Sequence, residues 1–418
     1  MSVRRLPPRA ALAAILLAVL WGSAPAPAAA EEPKPQIGAP AALVMESSSG
    51  DVLWQRQGSK QRAIASTTKL MTALLVMERT ERLSQLVRAS GYVAAPIESK
   101  LGLRPGERLS VADLLRGLML ESANDAAVTL AEQVAGSRTA FVRLMNRRAR
   151  QLGLSDTRYA NPIGLDASGN HSSARDLATL AVELRRHEFI RRIANRTRVT
   201  LSTGDRPRKV ANRNTLLVGN KWVNGLKTGH TSQAGYVLVG TYTRKGVSVV
   251  SVVLGTASPR ARDADGLALL KWGWRQYVSV RPVVAGEVVA RPEIRFRRGA
   301  RLNLIAEGAV RRTVRRGAEI TTRDVGVPAS VTGPVPRGRR LGRREVRADG
   351  ELIAAVPLVA EFTVPKAGPG QRTKDWFTKP LALLLAAGVL GGTLLVGRRV
   401  RRGPPRRRPA RSSEPEAA

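Results

Sequence analysis

Apolar residues recur at spacings of three and four through Leu70, Met71, Leu74, Leu75 and Met77, which predicts a helix opening at Ala65-Ser66-Thr67-Thr68-Lys69-Leu70. Ahead of it, Ala42 to Glu46 and Val52 to Arg56 are short apolar runs around Ser47-Ser48-Ser49-Gly50-Asp51, a predicted hairpin. Helical spacing returns near Val111 to Leu120, Asp125 to Val134, Thr139 to Leu152 and Asp176 to Arg185, with a turn at Asn161-Pro162-Ile163-Gly164-Leu165-Asp166. Tyr236 to Thr243 and Val247 to Leu254 are β-rich around Arg244-Lys245-Gly246. They predict a second hairpin beside an edge strand through Lys227. Asp263 to Tyr277, with Leu267, Leu269, Leu270 and Trp274, closes this part as a helix. The expected fold is mixed α/β, a small antiparallel sheet with helices packed against it.

Beyond Val278 the pattern changes. Val283 to Ala290, Ile294 to Phe296, Leu302 to Ala306, Arg312 to Val314 and Leu352 to Val359 are short alternating runs separated by Gly, Pro and Arg. They predict a small all-β domain over residues 278–366. A linker, 367–379, leads to an uncharged run of 17 residues, Pro380 to Val396, at the short end of what crosses a bilayer core of about 30 Å. The arginine-rich tail 397–418 after it predicts a stop-transfer helix with a cytoplasmic basic end. Gly388 and Gly392 form a G-x-x-x-G that allows weak self-association, although helix plasticity is the simpler account. At the other end, Arg4, Arg5 and Arg9 precede the apolar run Ala10 to Trp21, and Ala28-Ala29-Ala30 offers a cleavage site before Glu31. Residues 1–30 therefore read as an export signal, by the general or the twin-arginine route. That leaves 31–277 as the principal domain, the part in which any chemistry is to be sought.

Composition narrows the chemistry. The 418 residues are 43% hydrophobic, enough for an ordinary core, and contain no cysteine, which excludes disulfides and thiol catalysis. A net charge of +37 first suggests nucleic acid, but aromatics are only 4% and no nucleic-acid motif is present. An anionic envelope or membrane surface fits better. Between Arg281 and Lys366 there are 18 Arg or Lys against 9 Asp or Glu, which reads first as a solvated spacer surface. With only His171, His187 and His230, no G-x-S-x-G and no H-E-x-x-H, neither a Ser-His-Asp hydrolase nor a histidine metal site is expected.

Three stretches carry candidate chemistry. Ser66 and Lys69, three apart, share a helix face. A lysine can take the proton of a serine nucleophile only if burial or nearby cations bring its pKa down by roughly three units. Taken alone, S-x-x-K is as well explained by an N-cap serine and a surface lysine. Ser122-Ala123-Asn124, opening the next helix, can set a hydroxyl and an amide beside the nucleophile. Lys227-Thr228-Gly229 reads as an edge strand whose glycine admits a substrate backbone while its lysine and threonine face a carboxylate. S-x-x-K, S-x-N and K-T-G in this order mark class A β-lactamases and penicillin-binding proteins.

The surrounding residues sharpen this. Ala65 to Lys69, Glu121-Ser122-Ala123-Asn124-Asp125-Ala126 and Asn224-Gly225-Leu226-Lys227-Thr228-Gly229-His230-Thr231 resemble the serine D-Ala-D-Ala carboxypeptidases, the low-molecular-mass penicillin-binding proteins. So do Asn161 to Asp166, Ser172 to Asp176 and Ala211 to Asn214, and the likeness runs from about Ala41 to Tyr277. Ala123 departs from the glycine common at that position. The resemblance implies Ser66 as nucleophile, Lys69 as base and Ser122 as proton relay. It implies an oxyanion hole from the backbone N–H groups of Ser66 and His230, Asn124 on the substrate backbone with Gly229 admitting that backbone, and Lys227, Thr228 and Arg262 around the terminal carboxylate. It further implies peptidoglycan stem peptides as substrate, β-lactams as covalent inhibitors, the cytoplasmic membrane as anchor, and no metal or cofactor. An endopeptidase or transpeptidase shares every motif. A class A β-lactamase needs a deacylating carboxylate, commonly in E-x-x-L-N, and none follows Asn124.

Overall fold

The computed structural model describes residues 33–372, 384–385 and 387–393. The export signal 1–30, residues 373–379 of the linker, residues 380–383, 386 and 394–396 of the apolar run, and the tail 397–418 lie outside them. Among the described residues the chain divides into two compact units: everything up to Ser279 with Thr313–Gly317, and Val280–Arg312 with everything from Ala318 on.

The first unit is built on a five-stranded antiparallel sheet of order β2-β1-β9-β8-β7, from β1 Ala41–Glu46, β2 Val52–Arg56, β7 Val223–Thr231, β8 Gly235–Arg244 and β9 Val247–Thr256. β7 is an edge strand, as its motif suggests. The central strands are apolar on both faces rather than alternating. In β1, Ala41, Leu43 and Met45 join one core cluster while Ala42 and Val44 join another. β9 repeats this with Val250, Val252 and Leu254 against Val249 and Val253. Strands covered on both sides read as continuous apolar runs.

Helices supply both covers. On one face lie α1 Lys69–Arg79, α2 Val111–Arg116, α3 Asn124–Ala135, α4 Arg138–Gln151, α5 Ala174–Leu184 and α6 Glu188–Ala194, with the short hairpins β3 Leu86–Arg88/β4 Arg108–Ser110 and β5 Arg198–Leu201/β6 Arg208–Ala211. On the other lies α7 Pro259–Arg275. It begins four residues before the expected start, because the Ser258 hydroxyl caps Ala261 N and Pro259 takes the first turn. It stops at Arg275, and Tyr277 opens β10 Tyr277–Val283 instead of ending the helix.

From Val280 to Ala360 the second unit is built of strands alone. Its main sheet has the order β11-β13-β18-β17-β15, from β11 Val288–Ala290, β13 Leu304–Ala306, β15 Ile320–Val325, β17 Arg340–Ala348 and β18 Glu351–Ala360. β12 Glu293–Ile294 and β16 Ser330–Val331 form a parallel pair, and β14 spans Val310–Arg315. Leu302, Leu304, Val346 and Leu358 centre its core. β17 has no apolar alternation in RLGRREVRA, yet it pairs along its length with β15 and β18.

Candidate active site

The Ser66 turn is a short 3₁₀ segment, Ala65–Thr68, running directly into α1. Ala65 has φ +46°, and Ser122, closing a π-turn over Gly117–Glu121, has φ +64°. Left-handed backbone at two non-glycine residues costs of order 1–3 kcal/mol each, and such strain collects where geometry matters more than stability. Two glycines explain how other segments reach this turn. A Cβ on Gly164 would sit 2.0 Å from Ala65 O, and one on Gly229 would sit 2.7 Å from Ser66 N. Only bare backbone lets the Asn161–Asp166 turn and strand β7 close on the nucleophile's main chain from two sides.

Lys69 is fully buried and its Nζ lies 3.0 Å from Ser66 Oγ and 2.5 Å from the carbonyl of Ile163. Burial first, then the charge of Lys227, hold the amine well below its ordinary range, while Glu98 and Asp125 pull the other way. That is the condition a lysine base must meet. Lys227 is also buried, donates to Thr228 O at 2.9 Å, and is pushed down to about 7 by burial and by Arg213 and Arg262, against Glu121. It is therefore a titrating group rather than the fixed cation its motif suggests. Arg262 is buried too, and not free: its guanidinium meets the Asp263 carboxylate at 2.8 Å, which also accepts from Thr215 Oγ1.

The remaining motif groups are arranged less directly. Ser122 Oγ is buried with no hydrogen-bond partner among the described residues. The His230 ring is exposed and stacks on Tyr236, centroids 4.1 Å apart. Asn124 donates from Nδ2 to Glu98 Oε2 at 2.5 Å. Glu98 is the residue that sequence reading missed. It lies in the turn-rich stretch between β3 and β4, with no periodicity or motif to mark it. Its neighbour Asp125 accepts from Leu101, Gly102 and Leu103 N–H groups and ties that stretch to the start of α3. Two hollows of about 580 Å³ are lined by other residues, one by Arg116, Phe189 and Arg196, the other by Asn146 and Arg158. No group of three or more His, Cys, Asp or Glu placed to hold a metal occurs among the described residues.

A helix-covered antiparallel sheet with this constellation at its β7 edge defines the penicillin-binding class of fold. The family described as D-alanyl-D-alanine carboxypeptidase, peptidase S11, matches residues 27–258, and the chain belongs to that family. It is 33% identical over 376 residues to the D-alanyl-D-alanine carboxypeptidase DacC of Escherichia coli, covering 86% of this chain and 93% of that one. It is 31% identical over 337 residues to DacF of Bacillus subtilis, covering 79% and 87%. Among solved structures it resembles penicillin binding protein 5 from Haemophilus influenzae, with TM-score 0.60, 30% identity, and 80% and 99% of the two chains covered. A Streptomyces K15 DD-transpeptidase variant aligns with TM-score 0.56 at 31% identity, over 58% of this chain and 99% of that one.

Proposed function

We propose that this protein is a serine D-Ala-D-Ala carboxypeptidase that removes the terminal D-Ala from peptidoglycan pentapeptide stems. The observation that carries this is the Lys69 amine, buried, depressed and 3.0 Å from Ser66 Oγ. Ser66 Oγ attacks the penultimate D-Ala carbonyl and its proton passes to Lys69. The N–H groups of Ser66 and His230 hold the oxyanion, a role favoured by the close approach of Gly229 to Ser66 N. Ser122 relays a proton to the departing D-Ala amine, and water then cleaves the Ser66 ester. Asn124 holds the peptide main chain, while Lys227, Thr228 and Arg262 receive the terminal carboxylate. A β-lactam acylates the same serine. Each step moves a proton or an acyl group, so the scheme calls for no cofactor.

Two further elements belong to this proposal. The segment 1–30 exports the chain, and Pro380 to Val396 anchors it with the catalytic unit outside the cytoplasmic membrane. Residues 387–393 are helical with Val389 and Leu390 exposed, which suits a lipid-facing segment. Among the described residues no helix is long and apolar enough to cross a membrane. In such an anchor Gly388 and Gly392 would offer a small-residue face for weak self-association.

The likeness to a DD-transpeptidase favours one second reading, in which an amine replaces water as acyl acceptor or a cross-linked peptide replaces the free stem. Release of D-Ala from a pentapeptide, compared with the same peptide amidated at its C-terminus, separates the two. The carboxypeptidase cleaves the free acid far faster. Equal cleavage of both peptides would overturn the exopeptidase reading.

A further inference from the structure

The stretch between β3 and β4 has little regular structure, and three carboxylates organise it. Glu107 accepts from Arg104 N and pairs with buried Arg208 at 2.7 Å. Asp125 gathers three N–H groups, as described. Neither of these two has a hydrogen bond to a motif side chain among the described residues. Glu98 is different. Its Oε1 accepts from Ala95 N at 3.0 Å, and its Oε2 accepts from Tyr92 Oη and from Asn124 Nδ2, each at 2.5 Å. In addition, the backbone N–H of Asn124 donates to Ser99 O at 2.8 Å. Two consecutive residues thus grip Asn124 by side chain and by main chain. An ionised carboxylate only accepts, so it dictates which way the amide is turned. Nδ2 must face Glu98, leaving Oδ1 and the second N–H for another partner.

We propose that Glu98 is a positioning residue for Asn124, locking its amide in the orientation that meets the main chain of a bound peptide. This rests on the carboxypeptidase reading above and adds to it a residue outside the three motifs. Tyr92 completes the device by occupying the same carboxylate oxygen, so that Glu98 itself has little freedom to turn. The carboxylate also bears on the nucleophile's base. Lys69 faces Lys227 from β7, Asp125 from α3 and Glu98 from this stretch, and the two carboxylates oppose its desolvation. Glu98 is held below the ordinary carboxylate range by its Tyr92, Asn124 and Ala95 hydrogen bonds, which outweigh its own desolvation, so it is charged at neutral pH.

The test is a double-mutant cycle on the full-length enzyme, with Glu98→Ala, Asn124→Ala and both together. D-Ala release and acylation by penicillin are read alongside wild type, with a melting curve for each variant. Loss of a charge-assisted contact predicts that Glu98→Ala raises KM for the peptide about tenfold with a smaller change in kcat. The double variant should then be no worse than Asn124→Ala alone. Glu98→Gln keeps one acceptor oxygen and should recover most of the KM. It should also move the acidic limb of kcat/KM to lower pH, since it removes a charge that raises the Lys69 pKa. Additive effects of the two alanines, or an unchanged KM in both Glu98 variants at wild-type melting temperature, would overturn the proposal. Should Glu98→Ala fail to fold, Glu98→Gln decides it: its change in KM must vanish in the Asn124→Ala background, and a change that persists there overturns the proposal. If wild type is acylated by penicillin but releases no D-Ala, the carboxypeptidase reading falls. The same cycle run on acylation rates still decides the role of Glu98.

Discussion

In the first unit the decisive cations are inside the protein, and in the β unit they lie on its surface. Lys69, Lys227 and Arg262 are 0%, 1% and 7% exposed. In the β unit the side chains of Arg340 and Arg343 are 68% and 55% exposed, paired with Glu307 and Glu345. Burying a cation costs several kcal/mol unless it is paired or neutralised, whereas an exposed pair contributes about 0–1 kcal/mol either way. A chain of net charge +37 therefore uses positive charge in two ways. Three buried groups surround the candidate site, Arg262 against Asp263 and the two lysines with their pKa values lowered. Many surface ones solvate a face.

Removing a buried cation should have the largest effect. Lys69→Met keeps the side-chain volume and removes the base, so acylation of Ser66 by penicillin should slow by about 10³-fold or more. Stopped-flow acylation, with intact mass to follow the adduct, measures this. A loss under tenfold would mean that the burial of Lys69 serves packing and not proton transfer. Next comes Arg262. Its replacement by alanine should lower turnover of a free-carboxylate peptide by roughly tenfold to a hundredfold. A neutral ester substrate should lose far less. Arg262→Lys retains charge but not the planar fork that meets Asp263, and should recover only part of the loss. If ester and peptide suffer alike, Arg262 is a structural partner of Asp263 and not a carboxylate receptor.

Which parts of this were legible in the sequence follows from what each residue depends on. β8, β9 and α1 announce themselves because apolar spacing along one segment is a local property, and the three motifs are local strings. Arg262 was legible as a candidate, although its pairing with adjacent Asp263 was not foreseen. Glu98 was not legible, because its meaning comes from Tyr92 and Asn124 meeting one carboxylate oxygen in space. The depressed Lys227 depends likewise on burial beside Arg213 and Arg262, which strand spacing does not encode. β17 was hidden for another reason. Its arginines keep their charged heads in water while Val346 reaches the core, so the binary pattern is masked.

Lys227 sharpens the comparison through pH, with a smaller effect. Burial, Arg213 and Arg262 bring it to about 7, against an ordinary 10.5. The cation that meets a carboxylate is then lost as pH rises through about 7. kcat/KM for the free-acid peptide should fall by up to about tenfold per pH unit beyond that point. A neutral ester should lack this limb. The stability sign is opposite. Between pH 7 and 10.5 the unfolded chain binds more protons than the folded one, so this lysine's contribution to stability grows as pH rises through that window. An alkaline limb shared equally by ester and peptide would mean that Lys227 does not act through the substrate carboxylate.

The smallest effect should come from the other side of the comparison. Arg344 on β17 sits directly across from Asp324 on β15, meeting it through two nitrogens at 2.8 and 3.0 Å, and it reaches Glu287 at 3.2 Å. Its side chain is partly exposed, so the triad is screened by water and salt. Arg344→Ala should cost about 1 kcal/mol or less, which lowers the Tm of a unit this small by about 4–8 °C at most. The shift should shrink further in high salt, and D-Ala release from a soluble pentapeptide should match wild type. The instructive failure is selective. If Arg344→Ala, combined with Arg340→Ala and Arg343→Ala, spared the soluble peptide but slowed turnover of intact peptidoglycan, these cations would be touching the polymer. The surface charge of the β unit would then be part of substrate recognition, and its contrast with the buried cations would be one of range rather than of purpose.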